Sequence, residues 1–330
     1  MREQAIGLRV AAIVLVAAIL LVSCSTKNAR QTTGAGETVR IGYVPYSSSL
    51  PALVAFEKGI TKAKGLDVQL LRFETSNESI VALTRGDVQG LMGIGLPSLL
   101  AIEVRTPGTF KMVWCAVETA AKGVNALLVP VASKARDIKD LRGKTVGTFA
   151  GATQLLNLQA IFKSALGDVN AAQISQVSPN LQLQALQKGE VAALFTIEPY
   201  VAIATARGMG RVLVDNPRCK YILDPFPGGG GVLATTFITK KPAEARSLLA
   251  AFDEAIASIR LDETSAKAIL PKYAPVDADI AAKSQLYAWW TSSQIDLKSL
   301  QDYTNLLESD GILKGHVDVR TIVVKGDARP

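Results

Sequence analysis

The chain has 330 residues, with 36 Lys and Arg against 29 Asp and Glu for a formal net charge of +7, and 48 % of its residues are hydrophobic. One histidine, three cysteines and no C-x-x-C or H-E-x-x-H motif leave no persuasive Ser-His-Asp triad and no His-rich metal site. The basic excess suits an anionic ligand or surface. No run of five like charges occurs and aromatics are not interleaved with basic residues, so nucleic acid is not indicated.

Arg2 and Arg9 lead into an unbroken apolar run from Val10 to Val22. Such a run fits a signal-peptide core and falls short of the roughly 20 residues that span a bilayer. Leu21-Val22-Ser23-Cys24 resembles the lipobox of bacterial lipoproteins. That resemblance implies a signal peptide over 1–23 and an acylated (palmitate-type) Cys24 at the mature N-terminus. An uncleaved anchor is the alternative; under either, the remainder lies outside the cytoplasm. Residues 24–38 are rich in Ser, Thr, Gly, Asn and Gln and read as a flexible tether.

The roughly 290 remaining residues exceed one compact core and suggest two domains. From Val39 onward β-branched runs alternate with amphipathic stretches. A strand is expected over Val39–Val44, a helix over Leu53–Gly59, a strand over Leu66–Phe73 and a helix over Glu78–Arg85, with Thr75-x-x-Glu78 as a capping box. This β-α-β-α order points to parallel sheet covered by helices. The segment Ala82–Gly95 recurs, without a gap, as Ala185–Glu198, with Ala, Leu, Gly, Val, Leu and Ile identical at six positions. Each copy reads as a helix ended by glycine, a turn and a buried strand, and the pair implies two similarly built α/β lobes.

From Lys241 the pattern becomes helical: Pro242–Ile259, Thr264–Tyr273, Asp279–Trp290 and Leu297–Leu307, with no strand between them. Tyr287, Trp289 and Trp290 are expected to anchor this tail on a lobe rather than to stack on a ligand. Cys115 and Cys219 suit a disulfide in an oxidising compartment, while the apolar Met112-Val113-Trp114 before Cys115 suits a buried thiol equally. Gly143-Lys144-Thr145 lacks the leading glycine of a nucleotide loop, since Ile138 stands there. The run Gly228–Gly231 reads as a mobile connection or a place of close backbone approach. His316 lies in a polar, Gly-rich segment. Catalysis, a cofactor and a metal are not expected.

Binding is better supported. Ligands of open α/β sheets lie beyond the carboxyl ends of the strands, where helix N-termini offer unpaired N–H groups to an oxyanion. The candidate contacts are Tyr43, Tyr46, Ser47, Ser48, Ser49, Thr75, Ser76, Gly93, Ile94, Gly95, Gly151, Ala152, Thr153 and Glu198. Each polar loop residue also serves as a plain helix cap. For Glu198, before Pro199, a cap and a ligand contact remain equally open.

At these residues the chain resembles the substrate-binding proteins of ABC importers, in the nitrate/sulfonate/taurine group that includes binders of thiamine-pyrimidine precursors. The resemblance rests on an ordered set: Ile41-Gly42-Tyr43 with Pro51, Glu57-Lys58-Gly59-Ile60, Gly65-Leu66-Asp67-Val68, Ala82-Leu83 with Gly86-Asp87-Val88, Asp140 to Gly147, Ala185 to Ala193, Glu198-Pro199 and Gly311-Ile312-Leu313. It implies a type II periplasmic binding protein, with two Rossmann-like lobes on a hinge and a helical C-terminal segment packed on the first. Lobe 1 would hold 39–121 plus 232–330 and lobe 2 would hold 122–231, with Gly228–Gly231 at the return hinge. The partners implied are a small anionic or zwitterionic solute and a membrane permease with its ATPase. The alternatives are a heteroaromatic ligand or a membrane sensor as partner. Gln89 departs from the acidic residue common after Gly-Asp-Val. The cysteine-rich motif and active-site histidine of the pyrimidine-forming enzyme with this fold have no match, and the ligand loops show no clear arginine.

Overall fold

Val39–Tyr43 forms β1; the computed structural model describes residues 37–324. The expected signal peptide, the expected acylation site Cys24 and the expected tether as far as residue 36 lie outside the described residues. The further strands are β2 (Val68–Arg72), β3 (Gly90–Gly95), β4 (Phe110–Glu118), β5 (Asn125–Val129), β6 (Thr145–Phe149), β7 (Gln173–Val177), β8 (Ala193–Ile197), β9 (Arg211–Asp215), β10 (Phe226–Ala234) and β11 (Ala288–Thr291). They build two sheets, in the orders β11-β4-β10-β3-β1-β2 and β7-β6-β8-β5-β9.

Counted from the β2 and β7 edges, the two sheets follow one plan. β1 pairs in parallel with β2 and β3, as β6 does with β7 and β8. In the next place each sheet takes an antiparallel strand, β10 beside β3 and β5 beside β8. The sheets are therefore mixed, a correction to the all-parallel expectation. The antiparallel strand is the one the chain enters on arriving from the other lobe, so its direction is set by the crossover rather than by a β-α-β link. The chain leaves the first sheet after Glu118 and returns before Phe226. The expected return near residue 232 thus falls inside β10.

The sequence repeat has a backbone counterpart. Gly86 and Gly189 lie in the left-handed region at φ 80° and 73°. Each ends its helix with the same pair of bonds: Asp87 N–H to Ala82 O at 2.9 Å and Gly86 N–H to Leu83 O at 3.0 Å, against Glu190 N–H to Ala185 O at 3.0 Å and Gly189 N–H to Leu186 O at 3.1 Å. That is the Schellman closure, which satisfies carbonyls the helix end leaves open. Leu83, Val88 and Leu91 are buried, and so are Leu186, Val191 and Leu194. The capping box at the start of the helix Ser76–Arg85 is present as expected, with Thr75 and Glu78 exchanging bonds.

The helix Ala152–Leu166 covers one face of the second sheet, burying Leu158, Ile161, Phe162 and Leu166 against Leu127, Val146 and Phe195. In the C-terminal segment the helix Pro242–Leu261 packs onto the helix Leu50–Glu57. Here the expected helix Asp279–Trp290 is corrected: a helix spans only Ala278–Lys283, and Ala288–Thr291 is an edge strand paired antiparallel with β4. Aromatic residues fit the pleat of an edge strand, and Trp289 is buried there.

Gly228–Gly231 is likewise no mobile connection. It sits inside β10, between β3 and β4, where the register shifts on both sides. A Cβ on Gly229 would stand 2.1 Å from Ile94 O, and one on Gly230 would stand 2.0 Å from Trp114 O. The backbones approach too closely for a side chain, as a bulged glycine strand allows. Cys115 and Cys219 are both free thiols, and burial pushes each thiol up to about 12.

Candidate ligand-binding cavity between the sheets

A cavity of about 40 Å³ lies between the two sheets. From the first, β3 supplies Gly93, Ile94 and Gly95, β10 supplies Gly228 to Gly230, and the loop after β1 supplies Tyr46 and Ser48. From the second come Phe149 and Ile197 at the ends of β6 and β8, with Thr153 and Gln154 from the first turn of the helix Ala152–Leu166. Ser76, first in its helix, Ala116, Arg218 and Tyr287 complete the wall. Three helix N-termini therefore meet here, at Ser76, after Gly95 and at Ala152. Each presents N–H groups and the positive end of a helix dipole.

Arg218 is the charged residue of the wall. It is 2 % exposed, held by Glu118 (Nη1 to Oε1, 2.6 Å) and Gln154 (Nη2 to Oε1, 2.9 Å). Its Cζ lies 5.4 Å from the ring centroids of both Phe195 and Phe226. Burial is the largest single effect and works against the cation, but Glu118 together with Tyr287 and Tyr303 outweighs it and raises the Arg218 pKa. Glu118 is itself fully buried, and it also accepts from Val124 N–H at 3.1 Å and from Asn125. Asn125 in turn donates to Asn216 Oδ1 at 2.9 Å. The network thus joins the exit from β4 to the return before β10. Among the described residues Arg218 Nε and Tyr46 Oη find no hydrogen-bond partner. Burial raises the Tyr46 and Tyr287 pKa values, so both phenols stay protonated.

Seven of the candidates from the sequence line this cavity: Tyr46, Ser48, Ser76, Gly93, Ile94, Gly95 and Thr153. The others lie outside its wall. Tyr43 packs edge-on against Tyr273, ring centroids 5.6 Å apart, and Ser47 is buried without a partner among the described residues. Ser49 Oγ lies 2.8 Å from Val44 O and 2.9 Å from Met92 O. Thr75 is a helix cap, Gly151 N–H donates to Gln176 Oε1 at 2.9 Å, and Ala152 opens its helix. Glu198 accepts from Ala202 N–H at 3.0 Å and from Gln285 N–H at 3.3 Å, the first of these a cap on the following helix. Burial pushes the Glu198 carboxyl up to about 7, against the lowering effect of those two bonds.

The arginine of the wall, Arg218, lies outside the ligand loops read from the sequence and comes from a short helix after β9. Gln154, Phe149, Ile197, Ala116, Gly228 to Gly230 and Tyr287 also line the wall without being among the sequence candidates. Phe149 and Ile197 stand one or two residues before loops that are among them, whereas Arg218 and Tyr287 carry no local signal. His316 is exposed and pairs with Glu308 Oε2 at 2.9 Å, away from this wall. Among the described residues no group of three His, Cys, Asp or Glu is placed to hold a metal ion. The cavity offers N–H and hydroxyl donors, one paired cation and three aromatic rings, which equips it to hold an oxyanion attached to an apolar body.

Two lobes of one plan on either side of a shared cavity define a two-lobed α/β fold. The chain belongs to the NMT1-like family, whose model matches residues 33–272. A putative aliphatic sulfonates-binding protein of Bacillus subtilis (strain 168) is 25 % identical over 249 residues, covering 74 % of this chain and 72 % of its own. The periplasmic aliphatic sulphonate binding protein SsuA from Escherichia coli superposes with a TM-score of 0.69 at 21 % identity, covering 87 % of this chain and 97 % of its own. The desulfurization enzyme DSZB shares the fold with a TM-score of 0.66 at 16 % identity, covering 88 % and 97 %.

Proposed function

We propose that this protein is an extracytoplasmic receptor that closes on a small organic oxyanion, foremost a sulfonate, and presents it to an ABC import permease and its ATPase. The observation that carries this reading is the convergence of three helix N-termini and Arg218 on one buried cavity between two lobes. A sulfonate spreads one charge over three acceptor oxygens, and backbone N–H groups at helix ends bind such a group without a full countercharge. Two relatives named for sulfonate binding support the choice of ligand class. Among the described residues the cavity wall holds no histidine, cysteine or carboxylate, which favours a receptor over an enzyme on the same fold.

The lobes are assigned by their sheets, joined at the two crossovers after Glu118 and before Phe226. Hinge rotation there would admit the solute and bury it. Cys24 is assigned as the acylated N-terminus, keeping the receptor beside its permease at the membrane surface, with 25–38 as tether. Among the described residues no helix is long and apolar enough to cross a membrane.

A thermal-shift panel tests the ligand class, because a ligand that binds only the folded state raises the midpoint. Ethanesulfonate, taurine and benzenesulfonate are expected to raise it, and aminopyrimidines and flavins are not. A shift with the neutral heterocycles alone would overturn the oxyanion reading.

A further inference from the structure

Tyr46 and Phe149 come from opposite lobes and stack with ring centroids 5.1 Å apart and planes 24° from parallel. Tyr46 is 5 % exposed and Phe149 9 %, and both line the cavity. Tyr200 of the second lobe leans on the same Tyr46 ring at 6.2 Å, and Tyr287 adds a third ring to the wall. The alkyl part of the lining is limited to Ile94, Ala116 and Ile197. At about 40 Å³ the cavity is well short of the roughly 150 Å³ that holds a benzene molecule in a dry protein cavity. A solute of that size therefore needs the cavity enlarged, and lobe movement that parts the Tyr46–Phe149 pair enlarges it between two ring faces.

We infer that the solute's body is a planar aromatic ring, seated between Tyr46 and Phe149 with its oxyanion toward Arg218 and the helix N-termini. This rests on the oxyanion reading above and adds the nature of the attached group. Parting two stacked rings for a third exchanges one stacked contact for two, whereas a saturated chain gives up the stacking and recovers only area burial. Tyr46 Oη, buried and unpartnered among the described residues, stays protonated and is a free hydrogen-bond donor.

The test is calorimetric titration of the mature protein with benzenesulfonate, cyclohexanesulfonate and ethanesulfonate, repeated on Phe149→Leu. Benzenesulfonate is expected to bind about tenfold tighter than cyclohexanesulfonate, in line with two aromatic contacts, and Phe149→Leu is expected to bring that ratio close to one. Equal or tighter binding of cyclohexanesulfonate to the wild type overturns the aromatic body and leaves the oxyanion reading standing. Binding of none of the three overturns both. Should Phe149→Leu not fold, the wild-type ratio decides alone.

Discussion

Arg218 is tolerated in the interior because every neighbour compensates its charge or its bulk. Glu118 pairs with it at 2.6 Å, Gln154 accepts a second bond, and two phenylalanine rings flank the guanidinium. Removing one partner of such a pair leaves the other charged and buried, at a cost of about 3–5 kcal/mol. Glu118→Ala is therefore expected to lower the unfolding midpoint in denaturant sharply, and the double variant Glu118→Gln/Arg218→Met to recover most of the loss. A single variant as stable as the wild type would contradict the role of the pair.

Glu198 gives a pH signature. Its carboxyl is pushed up to about 7 in the folded chain against an ordinary value of 4.5, so the folded state binds the proton more tightly. Its contribution to stability is then full below about 4.5 and is lost as pH rises through about 7. Glu198→Gln is expected to flatten the stability curve between these limits relative to the wild type. An unchanged slope would refute the assignment. Glu198 could be found in the sequence because it stands at a strand end before a proline. Arg218 could not, because its meaning comes from Glu118, a hundred residues earlier in the chain and adjacent only after both crossovers form.

At the level of elements, glycines separate two kinds of constraint. Gly86 sits at φ 80° with open space, nothing within 4 Å, where a Cβ would stand, so Gly86→Ala meets only the conformational cost, about 1–2 kcal/mol. Gly230 has the opposite problem: a Cβ would strike Trp114 O at 2.0 Å, backbone that cannot turn aside. Gly230→Ala is expected to cost roughly 3 kcal/mol or more, and thermal melts of the two variants should rank them in that order. The helix-glycine-strand repeat was legible because local signals set it: a capping box, a left-handed glycine and a buried strand. The strand β11 was not, since Ala-Trp-Trp-Thr has no alternation of its own and is a strand only because the edge of β4 is there to pair with it. For the glycine run in β10 the sequence left a mobile connection and close backbone approach both open, and the neighbours β3 and β4 decide for closeness.

Across the whole molecule, two lobes of one plan meet over the cavity and beside it, where Gln285 N–H donates to Glu198 and Arg207 pairs with Asp277. Ser98 Oγ and Thr153 Oγ1 lie 2.7 Å apart, Tyr303 donates to Asn157, and Tyr46 stacks on Phe149. Several of these contacts are polar, as suits surfaces that separate and rejoin. The duplicated architecture followed from the repeat, whereas which residues face one another across the gap depends on lobe orientation, which no local pattern encodes. The central claim is that Arg218 and the helix ends hold an oxyanion in this gap. Its most direct test is calorimetric titration of ethanesulfonate into the wild type and into the Glu118→Gln/Arg218→Met variant, with both first confirmed folded by melting. Saturable binding to the wild type, weakened about tenfold or more in the variant as the loss of a charge-assisted bond requires, is the predicted result; equal affinity in the two, or no binding to the wild type, would contradict it.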